Sequence, residues 1–120
     1  MAFAAMTKRQ VEGVVVFGGT TLFSSRATLA EVAAQHKLPI AFPWREGVTA
    51  GGLLSFGPSL PALWRGSATY VDRILKGTKP SELPVEQPTK FELVINLKTA
   101  KALGLTIPPS VLARADQIIE

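Results

Sequence analysis

The sequence predicts an α/β fold of three layers, built on a mainly parallel sheet that helices cover. Four short apolar runs alternate with helical patterns, so crossover connections have to join them. The first run is unbroken and ends at paired glycines, which is typical of a strand buried on both faces. The predicted strands are Val14–Phe17, Ile40–Phe42, Leu53–Phe56 and Leu93–Ile95.

Two helical segments flank the first strand. Residues 2–10 have the pattern of the end of a helix that starts before the chain does. A second helix is predicted to run from an N-cap at Ser24 or Ser25 to Lys37. With the strands on either side, this helix forms a βαβ unit, which is right-handed almost without exception.

The clearest helix follows Ser59, a natural N-cap, and is ended by Gly77 and Pro80. We expect Trp64, which lies on its apolar stripe, to pack in the core. A connection with three prolines in twelve residues, 79–90, then predicts extended chain. The apolar positions of the helix repeat every 3.6 residues and are Leu60, Leu63, Trp64, Val71, Ile74 and Leu75.

Two further helices are predicted towards the end of the sequence. Asn96 is expected to cap a short helix that ends at Gly104. Pro108 and Pro109 are expected to open a last helix. Its predicted apolar face comprises Val111, Leu112, Ala115, Ile118 and Ile119.

The composition is that of one small globular domain. The 120 residues are 47% apolar and 18% charged, and the mean hydropathy of +0.24 suggests apolar surface for a partner. The net charge is +4, but the basic residues lie at the ends or outer faces of predicted helices, so no nucleic-acid partner is predicted. No apolar stretch reaches the roughly 18 residues of a membrane span, and we expect no export signal in this chain.

The residues that carry enzymatic chemistry are scarce. Cysteine is absent, which excludes disulfides and zinc–thiolate sites. The single histidine, His36, lies near a predicted helix end and is expected to pack or to face solvent. There is no Gly-x-Ser-x-Gly elbow, no Walker-type loop and no carboxylate pair for acid–base work. We therefore predict that the chain is not an enzyme and has no catalytic residue, metal or cofactor.

Two segments follow predicted strands and are candidates for binding. The Gly-Gly-Thr-Thr turn at residues 18–21 offers backbone amides and hydroxyls to an anion or a ligand oxygen, although a plain strand-to-helix turn explains it equally well. Arg45 and Glu46 follow the second strand, where α/β sheets place functional side chains. As an exposed pair they would contribute little to stability.

A longer motif closely resembles one known family. It comprises GGLLSFGPSLPALWRGSATYVDRILKG, at residues 51–77, and KPSELPVEQPTKFELVINLKTAKALGLTIPP, at residues 79–109. From about Leu38 to Ala115 the sequence resembles the solute-binding proteins of ABC transporters, in the group with tryptophan-type members. The resemblance implies part of a type I periplasmic-binding-protein fold, in which two lobes close over a small ligand. It also implies a periplasmic location and a membrane permease as partner.

The resemblance covers only the carboxy-terminal part of such a protein. It assigns residues 1–58 to βαβ units of the second lobe, 59–80 to a helix of the first lobe, and 81–120 to a return strand and terminal helices. We expect homo-oligomers, of which one form exchanges helix Leu60–Lys76 between chains, because that helix belongs on the other lobe. The alternative is a freestanding interaction or regulatory domain, which the missing export signal favours for this polypeptide.

The resemblance also suggests which residues face the ligand cleft. The loop after the strand that matches Val14–Phe17 faces the cleft, and tryptophan-type members carry an acidic and an amide residue there. This sequence has Thr20 and Thr21 instead, whose hydroxyls hold an ammonium group poorly. We therefore expect a small organic ligand other than a free aromatic amino acid. The predicted ligand-binding residues are Gly19, Thr20, Thr21, Arg45 and Phe56.

Overall fold

The computed structural model describes residues 2–120. Over this range the chain forms a five-stranded sheet with short helices and one long helix. The helices are α1 Ala2–Lys8, α2 Thr20–Ser24, α3 Arg26–Gln35, α4 Arg45–Thr49, α5 Leu60–Leu75, α6 Leu97–Ala102 and α7 Pro109–Leu112. The strands are β1 Val14–Val15, β2 Ile40–Phe42, β3 Leu54–Pro58, β4 Phe91–Asn96 and β5 Gln117–Ile119. A 3₁₀ turn at Pro80–Glu82 interrupts the connection after α5.

The sheet has the order β1-β2-β3-β4-β5, so neighbours in sequence are neighbours in space. The pairs β1–β2, β2–β3 and β4–β5 are parallel, and β3–β4 is antiparallel. The predicted α/β class and mainly parallel sheet are therefore confirmed. The β1 pairing extends slightly past the strand, because the Val16 amide donates to the Ala41 carbonyl at 2.9 Å.

The helices between the first three strands cover one face of the sheet. Because β1, β2 and β3 step in one direction across the sheet, right-handed crossovers place both connections on the same side. The packing agrees: Ala30 and Ala33 of α3 form a buried cluster with Val16, Ile40 and Phe42. The core of the protein lies between this sheet face and helices α3 and α4.

Two glycines let backbone segments approach closely around this core. A Cβ added at Gly47 of α4 would lie 2.2 Å from Cγ of Phe42, so α4 can pack on β2 only with glycine at this position. A Cβ added at Gly57 of β3 would lie 2.1 Å from the Pro43 carbonyl oxygen, which is backbone and cannot move aside. Both glycines are buried, and both are required by contact with the second strand or the residue after it.

The opposite face of the sheet is open at one end. Val15, Ala41 and Leu54 are in register, so side chains two residues further along each strand share their face. On this face Val15 is 66% exposed, Phe17 79%, Phe56 63% and Phe91 46%. Phe56 and Phe91 stack with ring centroids 5.6 Å apart. We call Val15, Phe17, Phe56 and Phe91 the open patch.

Helix α5 stands apart from the sheet. None of its 16 residues is buried. The chain measures 56 × 35 × 19 Å with a radius of gyration of 17.7 Å, whereas a compact domain of this length has about 14 Å. Trp64 is 75% exposed, so the prediction that it packs in the core is wrong. The period of its stripe specified the helix correctly, but none of the residues of that stripe is buried.

The end of the chain also differs from the prediction. Only the turn Pro109–Leu112 is helical, and Ile118 and Ile119 belong to β5. Asp116 starts the strand, because its carboxylate accepts the Leu93 amide at 2.8 Å and its own amide donates to the Leu93 carbonyl. Ile118 then pairs with Ile95 of β4. Ile118 and Ile119 could belong to a helix or to a strand. They form a strand here because they pair with the edge of β4.

The predicted ends of the helices before the last one are confirmed, but only one of the predicted N-cap residues makes a capping hydrogen bond. Asn96 caps α6, as its Oδ1 accepts the Thr99 amide at 3.0 Å, and Gly104 follows the helix with φ +70°. Ser25 and Ser59 occupy the N-cap positions of α3 and α5, but neither side chain makes a capping hydrogen bond. His36 ends α3, where it stacks on Phe3 and its Nδ1 lies 3.2 Å from the Thr7 hydroxyl, which confirms a packing role. No helix among the described residues is long and apolar enough to cross a bilayer.

Candidate ligand-binding site

Three loops meet where the parallel strands β1, β2 and β3 end. Residues 17–19 follow β1, residues 43–44 follow β2, and Ser59 follows β3. In open α/β sheets ligands bind outside the carboxyl ends of the strands. We call this side of the molecule the carboxyl edge, and it is the edge at which the sequence placed its candidate residues.

The first loop is short and leads straight into a helix. Gly19 is the N-cap of α2 and has extended backbone, and Thr20 and Thr21 form the first turn of this helix. This five-residue helix was not predicted, but the N-cap of the following helix α3 is Ser25, as predicted. All three residues are exposed, so the two hydroxyls remain accessible to a ligand.

An aromatic pair that the sequence analysis did not single out lies beside this loop. Phe23 of α2 meets Trp44 edge to face, with centroids 5.1 Å apart. The Arg26 guanidinium lies 4.7 Å from the centroid of the Phe23 ring and donates to the Phe23 carbonyl at 2.9 Å. Gly18 lies against the same tryptophan, since an added Cβ would be 3.9 Å from Trp44 Cζ2. The available signal was the place of Trp44, directly after the proline that ends β2.

Arg45 and Glu46 open helix α4, which the sequence analysis did not predict. They do not pair with each other: Arg45 donates to the Gln117 side chain of β5. Among the described residues, Glu46 Oε2 is a buried oxygen without a hydrogen-bond partner. Arg45 and Glu46, with Arg26 and Thr49, line a hollow of about 310 Å³.

Phe56 takes a different position from the other predicted residues. It lies in β3 on the open face, stacked on Phe91, whereas Arg45 reaches towards Gln117 from α4. The structure thus brings the loop at Gly18 and the segment at Trp44 together at the carboxyl edge. It places Phe56 on the exposed surface of the sheet and not in the hollow around Arg45.

A groove lies between α5 and the proline-rich connection. It has a volume of about 930 Å³ and, of the predicted ligand-binding residues, contains only Arg45. Tyr70 closes part of it by donating to the Pro84 carbonyl at 2.8 Å. Desolvation, and then the nearby Glu86 carboxylate, raise the pKa of Tyr70 above its ordinary value of 10.0. Within residues 2–120, no three histidine, aspartate or glutamate side chains cluster as a metal site.

Comparison with known proteins identifies the family. The family model of the ABC transporter substrate binding protein matches residues 1–119. A conserved domain protein from Vibrio cholerae O1 biovar El Tor is 31% identical, with a TM-score of 0.90 over 98% of this chain and 39% of its own. The ABC domain from Streptococcus pneumoniae in complex with L-Trp is 33% identical, with a TM-score of 0.88 over 98% of this chain and 40% of its own.

A third solved structure shares the fold alone. It is the ligand-free, open form of a substrate binding protein with adhesive properties from Clostridium difficile, 19% identical, with a TM-score of 0.66 over 98% of this chain and 39% of its own. No curated protein matches the sequence. The chain spans about two fifths of the length of these three solved structures. The family binds substrates for transport, so the prediction of a non-enzymatic protein is confirmed, and the chain belongs to the ABC transporter substrate binding protein family.

Proposed function

We propose that the chain is the carboxy-terminal part of a two-lobe solute-binding protein that delivers a small organic solute to the permease of an ABC importer. The observation that carries the proposal is the one-sided sheet. Its two crossover connections cover one face of the sheet. Its open patch and the edge strand β1 can therefore contact another part of the complete protein. A doubly wound sheet is completed by a second half that steps the other way and covers the other face.

The proposed division of the chain follows the sequence analysis. Residues 1–58 form units of the second lobe, 59–80 a helix that packs on the first lobe, and 81–120 the return to the second lobe. The exposure of the whole of α5 supports this division, since a helix without a buried residue needs a surface elsewhere. On the family resemblance we place the complete protein in the periplasm.

We place the ligand at the carboxyl edge. Gly19, Thr20 and Thr21 supply exposed backbone and hydroxyl groups, and Arg45 supplies a guanidinium that lines the same hollow as Glu46. Phe56 offers an aromatic surface on the open face. The pneumococcal relative is described in complex with L-Trp. The two threonine hydroxyls suit a neutral or anionic group better than an ammonium, so we propose a ligand other than an aromatic amino acid.

The experiment joins this chain to the missing part of a relative. A chimaera takes the residues outside the matched region from the Vibrio cholerae protein and the remainder from this chain. Thermal-shift screening with neutral and anionic amino acids, hydroxy acids and sugars, with L-Trp as reference, selects a ligand for calorimetry. Thr20→Val combined with Thr21→Val is expected to weaken binding by about tenfold or more, since each lost hydrogen bond is worth about 1 kcal/mol.

The control is Thr28→Val, which removes an exposed hydroxyl from α3 and is expected to leave the affinity unchanged. Tight L-Trp binding would contradict the proposed ligand class. A folded chimaera that binds none of the probes would favour the alternative, an interaction or regulatory domain without transport function.

A further inference from the structure

The side chain of Arg45 is held by the last strand of the sheet. Its guanidinium donates to the Oε1 atom of Gln117, which opens β5 and lies 72 residues later in the chain. Arg45 lines both the hollow that it shares with Glu46 and the groove beside α5. Because its partner lies so far along the sequence, this contact forms only when the whole sheet is assembled.

The register of the sheet places Gln117 on the face that α4 covers. One row of paired residues crosses the sheet from β2 to β5, and its members are Phe42, Ser55, Val94 and Gln117. The first three are each 2% exposed, because α4 packs over β2, β3 and β4. Gln117 ends this row at the edge strand, where the first side chain of α4 reaches it.

The backbone on each side of this contact is fixed by other hydrogen bonds. Just beyond the end of α4, the Thr99 hydroxyl donates to the Gly51 carbonyl at 3.0 Å. At the start of β5, Asp116 joins the backbone of Leu93 through two hydrogen bonds of 2.8 Å. The long arginine side chain is then the part that is free to move, and its hydrogen bond to Gln117 restricts it.

The partner of Arg45 is a neutral amide, so this contact does not neutralise its charge. Among residues 2–120, the only ion pair joins Lys76 to Asp72 at the end of α5. Glu46 lines the same hollow, but its Oε2 atom is buried and makes no hydrogen bond. Arg26 lines the hollow as well, so two guanidiniums and one carboxylate give it a positive net charge.

We propose that Gln117 is a positioning residue that holds the Arg45 guanidinium ready for a carboxylate of the ligand. The inference rests on the proposed function and narrows its ligand class to anionic solutes. A guanidinium that gives one hydrogen bond to an amide keeps further donors, and their planar arrangement matches a carboxylate. An arginine that is already held also loses less side-chain freedom when the ligand binds.

The positioning is tested on this chain alone, by NMR with nitrogen-15-labelled arginine. The Nε–Hε signal of Arg45 is assigned by its loss in Arg45→Lys. Its order parameter is expected to lie above about 0.6, and that of the exposed Arg114 below this value. Gln117→Ala is expected to lower the Arg45 value to that of Arg114, whereas Gln35→Ala, at the far end of α3, leaves it unchanged. An Arg45 as mobile as Arg114 in the unmodified chain would overturn the proposal.

The ligand class is tested by calorimetry on the chimaera of this chain with the Vibrio cholerae protein. The probes are carboxylates and amides of equal size, namely lactate with lactamide and succinate with succinamide. Gln117→Glu keeps Arg45 in place but neutralises it, and is expected to weaken carboxylate binding by about tenfold or more. Gln117→Ala leaves the charge but releases the side chain, and is expected to weaken it by about three- to tenfold.

Both variants are expected to change amide binding by less than about twofold, because a neutral amide does not need the charge. Gln35→Glu is the matched control for the added charge and is expected to have no effect on either probe. A chimaera that binds only amides or sugars would overturn the carboxylate role and leave the proposed function standing. A chimaera that binds none of the screened compounds would contradict the proposed function and the carboxylate role together.

Discussion

The sheet with α3 and α4, and the helix α5, are opposite cases of how a sequence specifies structure. The sheet region has short, irregular elements, but Ile95, Val48 and Val94 within it are almost fully buried. Helix α5 has the clearest apolar period in the sequence, and none of its residues is buried. Periodicity therefore predicts that a helix forms, whereas what the apolar side packs against is decided by other parts of the assembly.

Truncating one buried and one exposed leucine-sized side chain gives the largest expected difference between the two regions. Ile95→Ala is expected to lower the free energy of unfolding by about 2–5 kcal/mol, because Ile95 is 0% exposed and leaves a cavity. Leu75→Ala, at 81% exposure, is expected to change it by less than about 0.5 kcal/mol. Urea denaturation of both variants at low micromolar concentration measures the two changes. Equal losses would show that α5 is packed within the monomer.

Replacing one glycine by alanine in each region should change the free energy of unfolding in opposite directions. Gly57→Ala is expected to destabilise the fold by about 1–3 kcal/mol, since the new Cβ meets the Pro43 carbonyl. Gly66→Ala, in the middle of α5 with open space around it, is expected to stabilise it by up to about 1 kcal/mol. Thermal unfolding followed by circular dichroism compares the two. A neutral Gly57→Ala would contradict the close approach of β3 to the end of β2.

Loss of the N-cap side chain should also destabilise the sheet region more than helix α5. Asn96→Ala removes the bond to the Thr99 amide and is expected to cost about 0.5–2 kcal/mol. Ser59→Ala removes a side chain that makes no capping bond, so it is expected to cost less than about 0.5 kcal/mol. Chemical denaturation of both variants is the measurement. A larger loss for Ser59→Ala would show that its hydroxyl caps α5 in solution.

The smallest expected effect is the titration of Tyr70, the chain's only tyrosine. Its pKa is raised in the folded protein by desolvation and then by Glu86. Because the pKa of Tyr70 is higher in the folded protein, the neutral phenol contributes to the free energy of unfolding. This contribution is complete below the unfolded pKa near 10 and is lost as the pH rises through the folded pKa. Tyrosinate absorbance is expected to appear at higher pH in the native protein than in urea. Glu86→Gln is expected to reduce the difference between the Tyr70 pKa in the native protein and in urea. An unchanged difference would exclude Glu86 as a cause of the raised pKa.

The sequence predicted most of the architecture, and the exceptions have physical reasons. Unbroken apolar runs located four strands, and Asn96 and Gly104 marked the ends of α6. The fifth strand was missed because Ile118 and Ile119 suit either structure, and only the edge of β4 decides between them. The burial of Trp64 was predicted wrongly, since a helical period carries no information about the partner of the helix.

The candidate site was predictable in place but not in detail. The predicted strands show which residues follow their carboxyl ends, so the sequence predicted that the segments around Thr20 and Arg45 lie at this edge. The contact of Phe23 with Trp44, and the buried oxygen of Glu46, depend on how α2 and α4 turn after their strands. Local sequence does not specify those angles. The roles of Gly19, Thr20, Thr21, Arg45 and Phe56 in ligand binding stay predictions.

The most direct test of the account is the rate of amide hydrogen exchange along the chain. At 1 μM the amides of α5 are expected to exchange at least about 100-fold faster than those of Val94 and Ile95, because only the latter are buried in the sheet. Equal protection of the α5 amides and the sheet amides would contradict the account.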